Sequence, residues 1–396
     1  MSTAVLTNRL ELSSVADSAL KAAARFWFAV TVIGQLAFGF AVASFYGLTA
    51  MRGDYHAWKF THGFVPGVTA GNWAVVMHLA SAVVIMLAGA MQLVPQVRNR
   101  FPALHRWNGR VYMLATVTLS LAGLYMTWIR GSVGDASQHL GSTLNAILIW
   151  LFAALALRYA LARNFKTHRR WALRLFLVVS GSFFIRIMLF SWLMIFRGVG
   201  LDLMTFTGPV PTTLSFAQYL FPLAVLEIYF RAQDRPGAWR RIATAVMLIA
   251  LTLAMIAGLF GLTMANWVPQ VKAGFDPRIS ISETLSATIA SRGVDRAVKQ
   301  YHDLKAASPA KYDFDESELN TLGYQLMRAS KFKEAIRIFQ LNIEAYPQSS
   351  NVYDSLGEAY MKAGDKPQAI GNYQKSLQLN PKNLNAVGML KKLNAP

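Results

Sequence analysis

The sequence predicts an all-α protein in two parts, a seven-helix transmembrane bundle followed by a soluble α-solenoid. Three observations carry that prediction. Apolar runs of about 20 residues recur as far as Trp267 and then stop, and each is long enough to cross a hydrocarbon core roughly 30 Å thick at 1.5 Å per residue. Within this half one block is written twice, residues 78–114 against residues 139–177. The final third of the chain has a 34-residue period, seen in Leu322 and Leu356, which is the mark of stacked helical units.

Taken in order, residues 1–25 are rich in Ala and Ser and read as a short cytoplasmic lead ending at Arg25. Seven spans follow, at Phe26–Leu48, Trp73–Val94, Val111–Ile129, Leu140–Ala162, Trp171–Phe196, Leu214–Phe230 and Ile242–Trp267. The first is too long for a signal-peptide core and reads as uncleaved, although Ala41-Val42-Ala43 resembles a cleavage site. Residues 268–281 read as a linker, and residues 282–396 as the solenoid.

Charge sets the orientation. One set of connections holds 17 basic residues: Arg9, Lys21 and Arg25; Arg98, Arg100, Arg106 and Arg110; six between Arg158 and Arg174; and Arg231, Arg235, Arg240 and Arg241. The opposite set holds Arg52, Lys59, Arg130 and Arg197. This bias predicts a protein of the bacterial inner membrane with its N-terminus cytoplasmic and its solenoid periplasmic. It also explains the net charge of +19, most of which lies in residues 1–267, with 22 Lys and Arg against 7 Asp and Glu. No basic run is interleaved with aromatics, so the partners are the lipid bilayer and proteins and not nucleic acid.

The chain has no cysteine, which removes disulfides, iron–sulfur clusters, thiolate zinc sites and thioether-bound haem. It also lacks a Gly-rich phosphate loop, a serine elbow and an H-E-x-x-H pair. What remains is histidine. Four of the seven occupy matched places in the duplication: His78 and His139 open its two copies, and His105 and His168 open the next apolar span of each. On the predicted topology His78 and His139 face the outer leaflet and His105 and His168 the inner one, because Leu79 to Val94 alone spans about 24 Å of helix.

Diagonal helices of a four-helix bundle lie roughly 11–14 Å apart, close enough for two imidazoles to ligate one haem iron between them. The four positions thus admit two b-type haems, one in each leaflet. Arg106, Arg169 and Arg170 flank the inner pair as propionate partners, and Arg186, 18 residues after His168 and about 27 Å along the helix, reaches the outer level. Other uses stay open at the same places: interfacial anchors for the inner pair, hydrogen-bonded interior histidines for the outer pair, or a zinc, copper or proton-relay role. His56 and His62, with Asp54 and Tyr55 near them, are candidates for an external metal or quinone-facing site. Glu227 is expected to pair with Arg231 one turn on.

Three resemblances follow from these motifs. H-R-W-N-G-R-V-Y at 105–112, H-R-R-W-A-L-R at 168–174 and Arg186 resemble a family of predicted polytopic membrane proteins, domain of unknown function 2306. The spacing of the four histidines is similar to that of transmembrane di-haem cytochrome b reductases. That likeness implies haem b, and electron transfer with a quinone or a periplasmic donor or acceptor. In the tail, Leu322, Gly323, Ala335, Phe339 and Pro347 recur as Leu356, Gly357, Ala369, Tyr373 and Pro381, with Tyr353 and Tyr360 in two further signature places. These resemble tetratricopeptide repeats, and a weaker copy precedes them at Ala297, Tyr301 and Pro309, offset by 38 residues. The resemblance implies a protein partner. The sequence therefore reads as a haem-binding transmembrane electron-transfer protein, an oxidoreductase if an enzyme, with an interaction domain. A membrane-anchored scaffold and a histidine-dependent metal-binding membrane hydrolase are the alternatives.

Overall fold

The structure, a computed structural model, describes residues 3–53, 58, 68–202 and 205–393, with side chains from residue 13 onward. It divides into two units, Met1–Phe275 and Asp276–Pro396.

The first unit runs through α1 (Thr3–Val42), α2 (Leu48–Met51), α3 (Thr69–Leu93), α4 (Pro95–Arg100), α5 (Pro102–Tyr125) and α6 (Ala136–Leu161). It continues with α7 (Phe165–Val179), α8 (Gly181–Phe196), α9 (Pro209–Asp234), α10 (Ala238–Leu262) and α11 (Val268–Phe275). Six helical stretches among the described residues are long and apolar enough to cross a membrane, and α7 with α8 makes a seventh when counted as one bent span. The predicted lead is not a separate segment. Helix α1 runs unbroken from Thr3, because the Ala-rich stretch before Arg25 is strongly helix-forming and its Ala16, Leu20 and Ala23 are buried, with Leu20 and Ala23 packed against Ala232, Ala245 and Leu248.

The predicted fifth span is the other departure, since it bends by 52° between α7 and α8. The bend falls on Ser180-Gly181. The Ser180 hydroxyl donates to the Phe176 carbonyl at 2.7 Å, a back-bond of the kind that bends helices. Gln35 of α1 donates its amide to the same hydroxyl at 2.7 Å. A Cβ on Gly181 would fall 3.1 Å from Gln218 of α9 and 3.2 Å from Asn145 of α6, so three other helices close on this point.

Polar contacts then gather helix ends on one face. Gln92 at the end of α3 donates to the His105 carbonyl at 2.8 Å, Arg241 of α10 meets Asp17 of α1 at 2.9 Å, and Arg170 of α7 meets Asp234 of α9 at 2.5 Å. The expected Glu227–Arg231 pair is corrected here. Glu227 accepts instead from Arg174, at 2.6 Å to one terminal nitrogen and 2.8 Å to Nε. Helix α7 lies against α9 at this point, so the cross-helix partner displaces the one along the same helix, and the Arg174 guanidinium also stacks over Trp171 at 4.6 Å.

The second unit contains β1 (Ile279–Ser280), α12 (Ile281–Arg292), α13 (Val294–Ala307), β2 (Tyr312–Asp313), α14 (Glu316–Arg328), α15 (Phe332–Ala345), α16 (Ser350–Ala363), α17 (Lys366–Leu379) and α18 (Leu384–Leu393). The two short strands pair in parallel. Helix pairs stack through the repeat positions: Ala335, Phe339, Ala369 and Tyr373 are fully buried. A Cβ at Gly323 would run into the Phe339 ring, and one at Gly357 would lie 3.1 Å from Tyr373, so the repeat glycines are there for close helix approach. The four extra residues of the first copy sit between Ala307 and Glu316, where eight residues connect helices that four connect between Ala345 and Ser350. They supply β2. Arg278 fixes this junction, meeting Asp276 at 2.7 Å and Asp313 at 3.2 Å. At the far end α18 is gripped through Asn383 and Asn385, which donate to Asp354 at 3.0 and 2.8 Å; burial nonetheless pushes the Asp354 carboxyl above its ordinary range.

Gly323→Ala is expected to destabilise the repeat unit by about 1–3 kcal/mol through overpacking against Phe339. Gly371→Ala, in α17 with open space around it, is expected to be neutral or stabilising by up to about 1 kcal/mol. Limited proteolysis of the repeat unit in the intact protein checks both.

Candidate functional site

The gathered helix ends surround a chamber of about 2390 Å³. Around it stand Lys21 and Arg25 of α1, Arg98 of α4, Arg106 and Arg110 of α5, Arg163 before α7, and Lys166 and Arg169 of α7. Among the described residues these are eight cations, with no Asp or Glu in the lining. The carboxylates of this face are engaged elsewhere, Asp17 by Arg241, Glu227 by Arg174 and Asp234 by Arg170. Away from the cations the wall is apolar, formed in part by Trp27, Phe28, Phe184, Ile187, Met188 and Leu226.

His105 and His168 both line this chamber. His168 Nδ1 lies 2.8 Å from the Ala156 carbonyl; a carbonyl only accepts, so the proton sits on Nδ1 and the Nε2 lone pair is left over. His105 Nδ1 is buried without a hydrogen-bond partner. Arg106 and Arg169 join them at the wall, whereas Arg170 turns away to Asp234 and over the Phe230 ring at 4.7 Å.

The outer pair is not brought together in this way. His78 lines a second cavity of about 420 Å³ with Arg186, Gln35, Tyr46 and Ser182, and His139 is not among its lining residues. His78 Nδ1 donates to the Leu119 carbonyl at 3.2 Å. Arg186 donates to the Ser182 carbonyl at 2.7 Å and to its hydroxyl, and lies 4.9 Å over the Phe38 ring. His139 instead has Nε2 at 3.2 Å from the Ser132 hydroxyl and sits edge-on to Trp128 at 5.6 Å. The cause is placement along the helix. His78 lies well inside α3, but His139 is in the first turn of α6, one residue past Gln138, whose amide caps onto Asp135 at 3.1 Å.

His56 and His62 lie outside the described residues. Among the described residues no three His, Cys, Asp or Glu side chains converge as a metal site, and a zinc hydrolase needs three or four ligands in one place. Sequence reasoning found both inner histidines but missed the chamber; the legible signal was the crowding of cations at the ends of successive helices.

Residues 75–208 match the family described as Predicted membrane protein (DUF2306), and residues 350–383 match the tetratricopeptide repeat. The chain is a membrane protein with a C-terminal tetratricopeptide repeat. A stretch of 100 residues is 32% identical to the anaphase-promoting complex subunit CDC16 of Saccharomyces cerevisiae. It covers 24% of this chain and 12% of that relative. Within the matched repeat, Leu356, Ala369 and Tyr373 are buried and Gly357 lies under the Tyr373 ring. Between repeats, Tyr324 of α14 donates to Glu358 of α16 at 3.0 Å and Asn351 donates to Glu316 at 2.8 Å.

The natural absence of cysteine makes single-cysteine labelling clean. A hydrophilic maleimide is expected to label Ala172→Cys, in the chamber wall, at least tenfold faster than Ala153→Cys, which is 6% exposed in the core. Equal rates would contradict an accessible chamber.

Proposed function

We propose that the protein is a membrane-anchored adaptor that holds a protein partner through its tetratricopeptide repeats. The observation that carries this reading is the repeat at residues 350–383 on a chain whose first unit has membrane-length apolar helices. Repeats of this kind build extended surfaces from stacked helix pairs, and such surfaces serve protein recognition. The Lys and Arg bias supports a bacterial inner membrane with the repeats on the periplasmic side. Crosslinking in cells followed by purification is expected to recover one set of partners with the full chain and to lose it on deletion of residues 276–396. Replacing His78, His105, His139 and His168 together leaves that set unchanged. Loss of the partners on histidine replacement, with the repeats intact, would favour a cofactor-dependent role.

The second reading is b-type haem ligation and electron transfer, with a quinone or a periplasmic protein as redox partner. One observation favours it for the inner pair only. His105 and His168 line a common chamber with Arg106 and Arg169, and the Nδ1 bond of His168 leaves Nε2 as the ligating atom. Residues of this kind fit a haem whose propionates meet arginines. The outer pair does not fit, since His139 is held at Ser132 and Trp128. On this reading protein made with adequate haem shows a Soret band that disappears in His168→Ala and persists in His139→Ala. No Soret band in the unsubstituted protein sinks it.

A further inference from the structure

The adaptor reading leaves the chamber without an occupant, and the haem reading uses only its two histidines and two of its arginines. Its two halves differ in chemistry. At the face where the helix ends gather, eight cations stand with no carboxylate among the lining residues. Deeper in, the wall is aromatic and aliphatic. The nearest acids, Asp17, Glu227 and Asp234, each hold an arginine of another helix, and of the eight chamber cations Lys166 also feels the Asp234 charge. Cations that outnumber the acids around them repel one another, and near a membrane such charges are costly unless paired. Guanidinium groups meet a phosphate with paired charge-assisted bonds.

Size narrows the class. At about 2390 Å³ the chamber is more than twice the upper end of sites for drug-sized molecules, roughly 300–1,000 Å³. A free inorganic anion would leave the apolar wall against water, and a neutral lipid would leave the cations unpaired. A ligand with an anionic phosphate head and long hydrocarbon tails satisfies both halves. A lateral route from the bilayer is also on hand. Helix α8 diverges from α7 by 52°, and apolar residues of the chamber on α6, α7 and α8 are open to the surroundings, among them Leu161, Phe165 and Ile195.

We infer that the chamber is a binding site for an anionic phospholipid taken from the surrounding bilayer, its phosphate among the cations of α5 and α7 and its acyl chains along the wall toward α8. The occupancy is independent of the histidines. It gives the anchor a preference for anionic membrane.

The test uses the full chain exchanged into lipid-free detergent and given phosphatidylglycerol or phosphatidylcholine, read by native mass spectrometry. Phosphatidylglycerol is expected to remain bound at least tenfold more than phosphatidylcholine. The combined change Arg106→Gln, Arg163→Gln and Arg169→Gln abolishes that preference, and His105→Ala with His168→Ala does not. A second measurement needs no charge variant: phosphatidylglycerol slows maleimide labelling of Ala172→Cys at least tenfold and phosphatidylcholine does not. Equal retention of the two lipids, no protection of Ala172→Cys, or chamber occupancy by haem alone would each overturn the proposal.

Discussion

The membrane unit depends on what happens at the Ser180 hydroxyl. It donates backward to the Phe176 carbonyl and accepts from Gln35 of α1, so a break in one helix is tied to the middle of another. The back-bond by itself does not break a helix, since Thr31, Thr244 and Thr252 make the same bond inside unbroken ones; at Ser180 it accompanies a backbone that has left helical geometry, with ψ at 4°. There α8 leaves at 52°. The small neighbour Gly181 lets Gln218 and Asn145 approach from α9 and α6, which keeps the bend inside a polar cluster and not against hydrocarbon. Both cavities border this point: the larger runs along α7 and α8, and Ser180 itself lines the smaller.

A second constraint is the shortage of acid. Three carboxylates on the gathered face each hold an arginine from another helix, and together they fix α1 to α10 and α7 to α9. Because the carboxylates are 41–48% exposed, solvent screens each pair, and their role is to set which helices meet more than to add stability. Eight other cations of that face line the chamber. The cations that make up the Lys and Arg bias are thus sorted by helix packing, which decides which of them look into the chamber.

How much of this was legible follows from the range of each interaction. The spans could be read because membrane thickness sets a length, and the repeats because Gly323 and Gly357 answer to Phe339 and Tyr373 at a fixed distance in sequence. The insertion before Glu316 was visible as four residues, but not the β1–β2 pairing that uses them. Contacts between elements far apart in sequence left no such trace. Arg174 competes with Arg231 for Glu227 only because α7 lies on α9, and the helix breaks at Ser180 although its apolar neighbours would have continued it. The chamber is the extreme case, since its walls are drawn from helices as far apart in sequence as α1 and α10.

The duplication shows why repeated letters need not make repeated sites. His105 and His168 stand at the same place in their helices, each three residues after the first residue, Pro102 and Phe165. They face one chamber. His78 and His139 are matched just as well in sequence, but α3 begins at Thr69, nine residues before His78, and α6 begins at Ala136, three before His139. At about 100° per residue in a helix of 3.6 residues per turn, and 1.5 Å of rise, six residues of offset shift one histidine by roughly 9 Å along the axis relative to its helix start. One therefore lies among interior groups while the other remains in the opening turn beside Ser132 and Trp128. Symmetry of sequence survived where both copies start their helix at the same point and was lost where they do not, so the inner pair shares a chamber and the outer pair does not.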